Sequence, residues 1–275
     1  MMRKQRIASF FMLLILLVSY KQLFAIPVSL ELALLVDVSR SVDASEYAQQ
    51  KNGYVNAFKD PVIQDAIASF AAIGGIAVTY IEWSGANQQS VSVGWTQITN
   101  AASANAFADA IDNVDRAFGL GGGTAPGSAI QFVTPKFSDN GFEGNRWVID
   151  VSSDGIRNTG TQASVARDHF LDLETVGEGL TKTINGLPID NTDLGFLGLA
   201  DWFQDNIVGG PNAFLIAADG GFDSFSDAVK TKIGREISEP PTSVVFEPTS
   251  LSLILIGLIG FYFVAYQPRR IRVQA

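Results

Sequence analysis

Three short segments, far apart in the chain, carry oxygen-bearing side chains that suit one small divalent cation. The segments are Asp37-Val-Ser39-Arg-Ser41, Gly122-Gly-Thr124 and Ser153-Asp154-Gly155. Two carboxylates and three hydroxyls form a hard-oxygen set of the kind that Mg²⁺ or Mn²⁺ prefers. The residue types therefore predict a metal site made by Asp37, Ser39, Ser41, Thr124 and Asp154, if folding brings the segments together.

The sequence around these segments gives a reason for them to meet. Asp37 and Asp154 follow the apolar runs 32–36 and 147–149, which are typical of buried parallel strands. Residues just beyond the carboxyl ends of parallel strands converge on one crevice of an open α/β sheet. Thr124 follows three glycines, which allow close backbone approach, and precedes a predicted helix whose N-terminal end would face that crevice.

Residues 30–239 alternate between apolar strands and amphipathic helices, a pattern that predicts a doubly wound α/β fold. We expect a mostly parallel sheet of about six strands with helices on both faces. Residues 85–89 are too few for a crossover, so the second and third strands should form an antiparallel hairpin that supplies one antiparallel edge strand. The predicted strands are 30–37, 75–84, 90–96, 146–152, 181–189 and 213–218. The predicted helices are 44–58, 61–69, 102–117, 126–138, 162–175, 195–206 and 221–236.

The first 25 residues have the layout of a secretory signal peptide. Basic residues precede an apolar stretch at 7–18, and the segment ends at Ala25. The stretch is shorter than the ~20 residues that a membrane-spanning helix needs, which favours cleavage by signal peptidase over an uncleaved anchor. Leu23 is larger than the small residue expected three positions before a cleavage site, so the site itself stays open.

The last residues have the layout of a membrane-sorting tail. An apolar run at 251–266 follows Glu247 and Pro248, and arginines follow the run. This order resembles the PEP-CTERM tail of Gram-negative bacteria, which an exosortase recognises, although Phe246 replaces the first proline. The alternative is an ordinary C-terminal transmembrane anchor. Both place the body in the periplasm, the cell envelope or the extracellular space, with the C-terminal segment in the inner membrane before any processing.

The chain therefore divides into a signal peptide at 1–25, a folded body at 26–239, a linker and sorting motif at 240–248 and a tail at 249–275. The sequence contains 19 Lys and Arg, of which seven lie in the two terminal segments, and 28 Asp and Glu, none of which lies in those segments. The body thus carries a charge of about −16, which argues against nucleic acid or anionic lipid as a partner. The absence of cysteine excludes thiol catalysis and thiolate metal ligands.

The three oxygen-bearing segments, in this order, resemble the metal-ion-dependent adhesion site of the von Willebrand factor A domain. The resemblance covers residues 28–238. It implies that Ser39, Ser41 and Thr124 bind the ion directly, that Asp37 and Asp154 act through water, and that a partner's carboxylate completes the coordination shell. Other segments are similar to a bacterial branch of this superfamily whose function is unassigned. They are Ile81-Glu-Trp-Ser-Gly85, Asn140-Gly-Phe-Glu-Gly144 and Ile184-Asn-Gly-Leu-Pro188.

Three functions remain open, and we expect the first. It is a secreted adhesion-type module that binds an Asp or Glu of an unknown protein partner and is not an enzyme. The second is a structural matrix protein that a metal stabilises, and the third is a metal-assisted hydrolase in which Glu82 takes part. His169 lies in a predicted helix and is expected at the surface, while Trp83 and Trp95 are expected to pack in the core or at the sheet edge, with sugar stacking as the alternative.

Overall fold

A computed structural model describes residues 25–118, 122–174, 179–189 and 198–238. The chain divides into two units, residues 1–242 and 243–275, and all the described residues belong to the first. The predicted signal peptide and the sorting tail lie outside the described residues, apart from Ala25. No helix in the described ranges has the length and apolar character that a membrane crossing requires.

The described residues form a five-stranded sheet with the strand order β4-β3-β2-β6-β7, a separate two-stranded sheet of β1 and β5, and seven α-helices. The strands are β1 Ile26–Val28, β2 Leu30–Asp37, β3 Ile76–Trp83, β4 Gln89–Ile98, β5 Phe142–Gly144, β6 Arg146–Ser153 and β7 Thr181–Pro188. The helices are α1 Ala44–Lys59, α2 Pro61–Ala68, α3 Ala101–Asp112, α4 Pro126–Val133, α5 Ala163–Asp172, α6 Leu199–Asn206 and α7 Phe225–Ser238. Only the β3–β4 pair of the larger sheet is antiparallel.

Helices cover both faces of this sheet, because alternate side chains of the buried central strand β2 point to opposite faces. Leu32 and Leu34 face a core formed with α1, α2, α3 and α7. Ala33 and Leu35 face a second core formed with α4, α5 and α6. The predicted fold class, a doubly wound α/β sheet with one antiparallel edge strand, is therefore confirmed.

The strand register sets the position of the predicted site. Strand β2 pairs in parallel with β6, and Val36 lies opposite Ser152. Asp37 and Ser153, the next residues, consequently end adjacent strands at the same edge of the sheet. Asp154 follows immediately, which places both carboxylates of the predicted site at this edge.

The predicted strand at 213–218 is reduced to isolated bridges beside β7. Gly186 pairs with Leu215 and Ile189 with Ala218, both in parallel. Pro188 lies between these bridges and has no amide N–H, so it cannot donate the hydrogen bond that a continuous ladder needs. The predicted sixth strand therefore contributes only edge contacts.

Several helices are shorter than their apolar patterns predict. Helix α3 ends at Asp112 rather than 117, and α4 passes into a 3₁₀ turn at Thr134–Phe137. The predicted helix at 221–236 begins with the 3₁₀ turn Gly221–Ser224 before α7. Residues 195–197 of another predicted helix, and residue 175, lie outside the described ranges. The short strands β1 and β5 were not predicted, since three residues are too few to show a period.

Candidate metal site

Asp37 is the most deeply buried of the candidate ligands, and each of its carboxylate oxygens accepts a hydrogen bond. The amide of Ser39 donates to Oδ1 at 2.7 Å, and the hydroxyl of Ser153 donates to Oδ2. The side chain of Gln50 in α1 donates to the Asp37 carbonyl at 3.1 Å. These contacts fix the turn that follows β2 and hold its carboxylate against the end of β6.

Four side-chain oxygens from three separate segments form a continuous chain. The Thr124 hydroxyl lies 3.4 Å from that of Ser39, which lies 3.2 Å from that of Ser41. The Ser41 hydroxyl donates to Asp154 Oδ1 at 2.8 Å. Neighbouring ligands of an octahedral ion with bonds of 2.0–2.1 Å lie about 3.0 Å apart, so these separations are close to those of a coordination shell.

Asp154 carries an oxygen whose environment also suits a cation. Its side chain is 1% exposed, and among the described residues Oδ2 has no hydrogen-bond partner. A buried, unpaired carboxylate oxygen costs free energy that a cation would recover. The structure thus joins four of the five predicted side chains in one chain of oxygens and places Asp37 beside them through the Ser39 amide and the Ser153 hydroxyl. These hydroxyl and carboxylate oxygens are of the kind that Mg²⁺ or Mn²⁺ prefers.

Burial and nearby negative charge make both carboxylates reluctant to ionise without a cation. Burial, and then the nearby charge of Asp154, raise the pKa of Asp37 to about 7. Burial raises the pKa of Asp154 to about 6; the hydrogen bond from Ser41 opposes this shift, and the charge of Glu46 adds to it. A divalent cation would favour the ionised form of both groups, because it neutralises the charge that burial penalises.

Arg116 positions the serine-bearing turn, a role that the sequence did not indicate. One terminal nitrogen of its guanidinium, Nη2, shares its two hydrogens among three backbone carbonyls, those of Val38 at 2.8 Å, Ser39 at 3.0 Å and Val42 at 2.8 Å. Arg116 lies in the segment between α3 and the glycines that precede Thr124. It therefore connects the segment before Thr124 to the backbone of the turn that carries Ser39.

Asn158 fixes the third part of the site. Its side-chain oxygen accepts a hydrogen bond from the backbone amide of Thr124 at 2.8 Å. The backbone amide of Asn158 donates to the Thr124 carbonyl at 3.0 Å. Asn158 lies four residues after Asp154, so the loop that carries one carboxylate also orients the threonine. A polar residue in a Gly-rich and Thr-rich loop gives no specific sequence signal for this role.

The other residues considered from the sequence lie outside the oxygen cluster. Glu82 is buried in β3, where it accepts the Ser92 hydroxyl at 2.6 Å and the Ala117 amide at 3.2 Å. Trp83 is fully buried in the core, and Trp95 packs on Phe137 with ring centroids 5.2 Å apart, as the packing interpretation predicts. His169 is exposed on α5, as expected.

The architecture is that of the von Willebrand factor A fold. Proximal thread matrix protein 1 from the mussel byssus aligns with a TM-score of 0.51 at 15% identity, over 78% of this chain and 49% of that one. A form of that protein with a zinc-occupied MIDAS motif aligns with a TM-score of 0.51 at 16% identity, over 79% and 48%. A von Willebrand factor type A protein from Catenulispora acidiphila aligns with a TM-score of 0.46 at 11% identity, over 76% and 43%. The chain thus spans about half the length of these proteins.

The amino-acid sequence identifies the family to which the chain belongs. Residues 27–241 match the model of a family described as a protein of unknown function, DUF1194, and the chain is a member of that family. A comparison with curated protein sequences finds no significant match.

Proposed function

We propose that this protein is an exported binding module that holds Mg²⁺ or Mn²⁺ at the end of its sheet and uses the ion to bind a carboxylate of a partner protein. The observation that carries the proposal is the chain of four oxygens from Thr124 to Asp154, beside a buried carboxylate oxygen that lacks a partner among the described residues. These donors match the chemistry of a hard divalent cation.

The five residues divide into two groups. Ser39, Ser41 and Thr124 would hold the ion through their hydroxyls, and Asp37 and Asp154 would supply the negative charge that balances it. The bound ion would supply a positive charge at which an acidic side chain of the partner binds. Ser41 is exposed while the other four donors are buried, so a partner would approach past Ser41.

Two further observations support this proposal over a catalytic role. Glu82, the carboxylate considered for acid–base chemistry, lies outside the oxygen cluster, and its Oε2 accepts hydrogen bonds from the Ser92 hydroxyl and the Ala117 amide. The mussel protein with a zinc-occupied MIDAS motif shares the fold, which supports binding of a divalent ion by this protein. The predicted signal peptide and tail support a location outside the cytoplasm.

Removal of a single hydroxyl tests the metal site. The Thr124→Val variant keeps the shape of the side chain but loses the oxygen. We expect Mg²⁺ affinity, measured by titration calorimetry on the purified protein, to fall at least about tenfold, which corresponds to the loss of ~1.4 kcal/mol. Thr79→Val is the matched control, because Thr79 is a buried threonine of the same sheet whose hydroxyl donates to the Val93 carbonyl. Equal Mg²⁺ affinity in the two variants would refute the site.

Capture of proteins from an envelope extract tests the role of the metal. We expect a partner to be retained in Mg²⁺, released by a chelator and absent with the Thr124→Val variant. If Mg²⁺ raises the melting temperature but no protein requires Mg²⁺ to be retained, the protein is instead a structural matrix protein that the metal stabilises. Activity on a glycan or ester that requires Glu82 would instead support the hydrolase.

A further inference from the structure

A second cluster of charged groups lies in the core and shares no residue with the metal site. Lys232 of α7, Asp150 of β6 and Glu236 of α7 are each at most 1% exposed, and Asn185 of β7 is 2% exposed. Lysine is among the residues least often fully buried. A buried amine between two buried carboxylates therefore requires an explanation, and the metal site does not provide one.

The contacts of Lys232 with its two carboxylates differ in kind. The amine donates a hydrogen bond to Glu236 Oε1 at 2.7 Å. The same Nζ lies 2.5 Å from Asp150 Oδ1, yet within the described part of the chain neither oxygen of Asp150 takes part in a hydrogen bond. The amine thus lies against the carboxyl group of Asp150 without the angles of a hydrogen bond. A deprotonated lysine amine is a nucleophile, and here the amine lies in direct contact with a carboxyl group.

We propose that Lys232 and Asp150 are joined by an intramolecular isopeptide bond, formed after folding with Glu236 as the proton carrier. The Lys232 ammonium gives one proton to Glu236, and the free Nζ forms a bond to Asp150 Cγ. The bond between Cγ and one carboxylate oxygen breaks. That oxygen leaves as water, with one proton returned by Glu236 and one taken from the nitrogen, and Glu236 ends as it began.

Electrostatics favours the amide over an ion pair at this position. An ion pair in the core keeps two desolvated charges, and here a third charge lies beside them, whereas an amide removes one positive and one negative charge. Burial, opposed by the charge of Lys232, raises the pKa of Asp150 to about 7. The raised pKa favours return of the lysine proton from Glu236 to an Asp150 oxygen, and an amine attacks the resulting neutral carboxyl group more readily than a carboxylate.

Asn185 is not the electrophile, because both ends of its amide are occupied. Its nitrogen donates to Glu236 Oε1 at 2.9 Å, and its oxygen accepts the amide hydrogen of Phe214 at 3.1 Å. These bonds hold Glu236 beside the amine. The chain has no cysteine, so a bond between Lys232 and Asp150 would connect α7 covalently to the centre of the sheet where no disulfide can.

Peptide mapping by mass spectrometry of the purified full chain tests the bond. We expect the peptides that contain Lys232 and Asp150 to appear as one branched species, lighter than their sum by the mass of one water. In the Glu236→Gln variant, which cannot carry the proton, we expect the branched species to be lost. Lys230→Ala is the control, since Lys230 forms an exposed ion pair with Asp60 and its loss should leave the bond intact.

The wild-type protein alone decides the outcome if a variant fails to fold. Recovery of unmodified peptides for both residues from folded wild-type protein would overturn the proposal. A branched species that lacks the mass of ammonia and includes Asn185 would also overturn it, because the bond would then join a different pair. A branched species that persists undiminished in Glu236→Gln would overturn the role of Glu236 as proton carrier.

Discussion

The raised pKa values of Asp37 and Asp154 predict that metal binding weakens in acid, because both carboxylates must lose a proton to bind the ion. With a pKa of about 7, protonation of Asp37 at pH 5.5 lowers the Mg²⁺ affinity about 30-fold. Protonation of Asp154, with a pKa of about 6, lowers it about 4-fold more. Together they predict Mg²⁺ affinity about 100-fold weaker at pH 5.5 than at pH 8. Calorimetry at both pH values, in buffers with different ionisation enthalpies, measures the affinity and the protons released.

The metal-free protein should show the opposite trend in stability. The folded pKa of each carboxylate lies above its ordinary value of 3.8, so the folded state binds more protons than the unfolded state. The free energy of unfolding should therefore fall as pH rises from about 4 to about 7, and Mg²⁺ should restore stability above that range, by ~2.7 kcal/mol at 100 times its Kd. At the same Mg²⁺ concentration, Thr124→Val should show the same fall but at most about half of the restoration, because its Kd is at least about tenfold higher. A wild-type Mg²⁺ affinity that changes by less than about 3-fold between pH 5.5 and 8 would refute the reasoning.

Three other substitutions have defined outcomes. Arg116→Ala removes three charge-assisted hydrogen bonds to the turn that carries Ser39, and should lower the free energy of unfolding by about 2–4 kcal/mol and Mg²⁺ affinity about tenfold, in denaturant titration and calorimetry. Gly186→Ala places a Cβ 2.7 Å from the Phe203 ring and should cost about 1–3 kcal/mol in the same titration, with Mg²⁺ affinity unchanged. Glu31→Gln removes a buried group with a pKa of about 7, so the decline of stability from pH 4.5 to 7 should become shallower; an unchanged slope would exclude Glu31 as a contributor.

The sequence predicts the oxygen cluster well because its parts occupy places that strand endings define. Asp37 closes a fully buried strand and Asp154 follows another, and parallel pairing brings such ends to one edge. The residues that hold the cluster could not be predicted in the same way. Arg116 binds backbone carbonyls, which every residue possesses, so its contacts depend on the path of the chain and leave no pattern in the sequence.

Local patterns also misjudge where elements end, and tertiary contacts explain the differences. Helix α3 stops at Asp112 because the residues beyond it serve other contacts: Arg116 reaches the serine turn, and the Ala117 amide donates to Glu82. Lys232 lies within a correctly predicted helix, yet its burial could not be foreseen, since lysine ordinarily marks the exposed face. Its partner Asp150 lies in β6, much earlier in the chain, and only the fold brings them together.

The two ends of the folded body lie on the same side of the sheet. The Ile26 amide donates to the Gly141 carbonyl just before β5, and the Glu236 carbonyl near the end of α7 accepts a hydrogen bond from Arg146, the first residue of β6. Both contacts lie where parallel strands begin, whereas the oxygen cluster lies where they finish. The points where the chain enters and leaves the folded body are therefore at the rim opposite the oxygen cluster, so a target that approaches the cluster does not meet them.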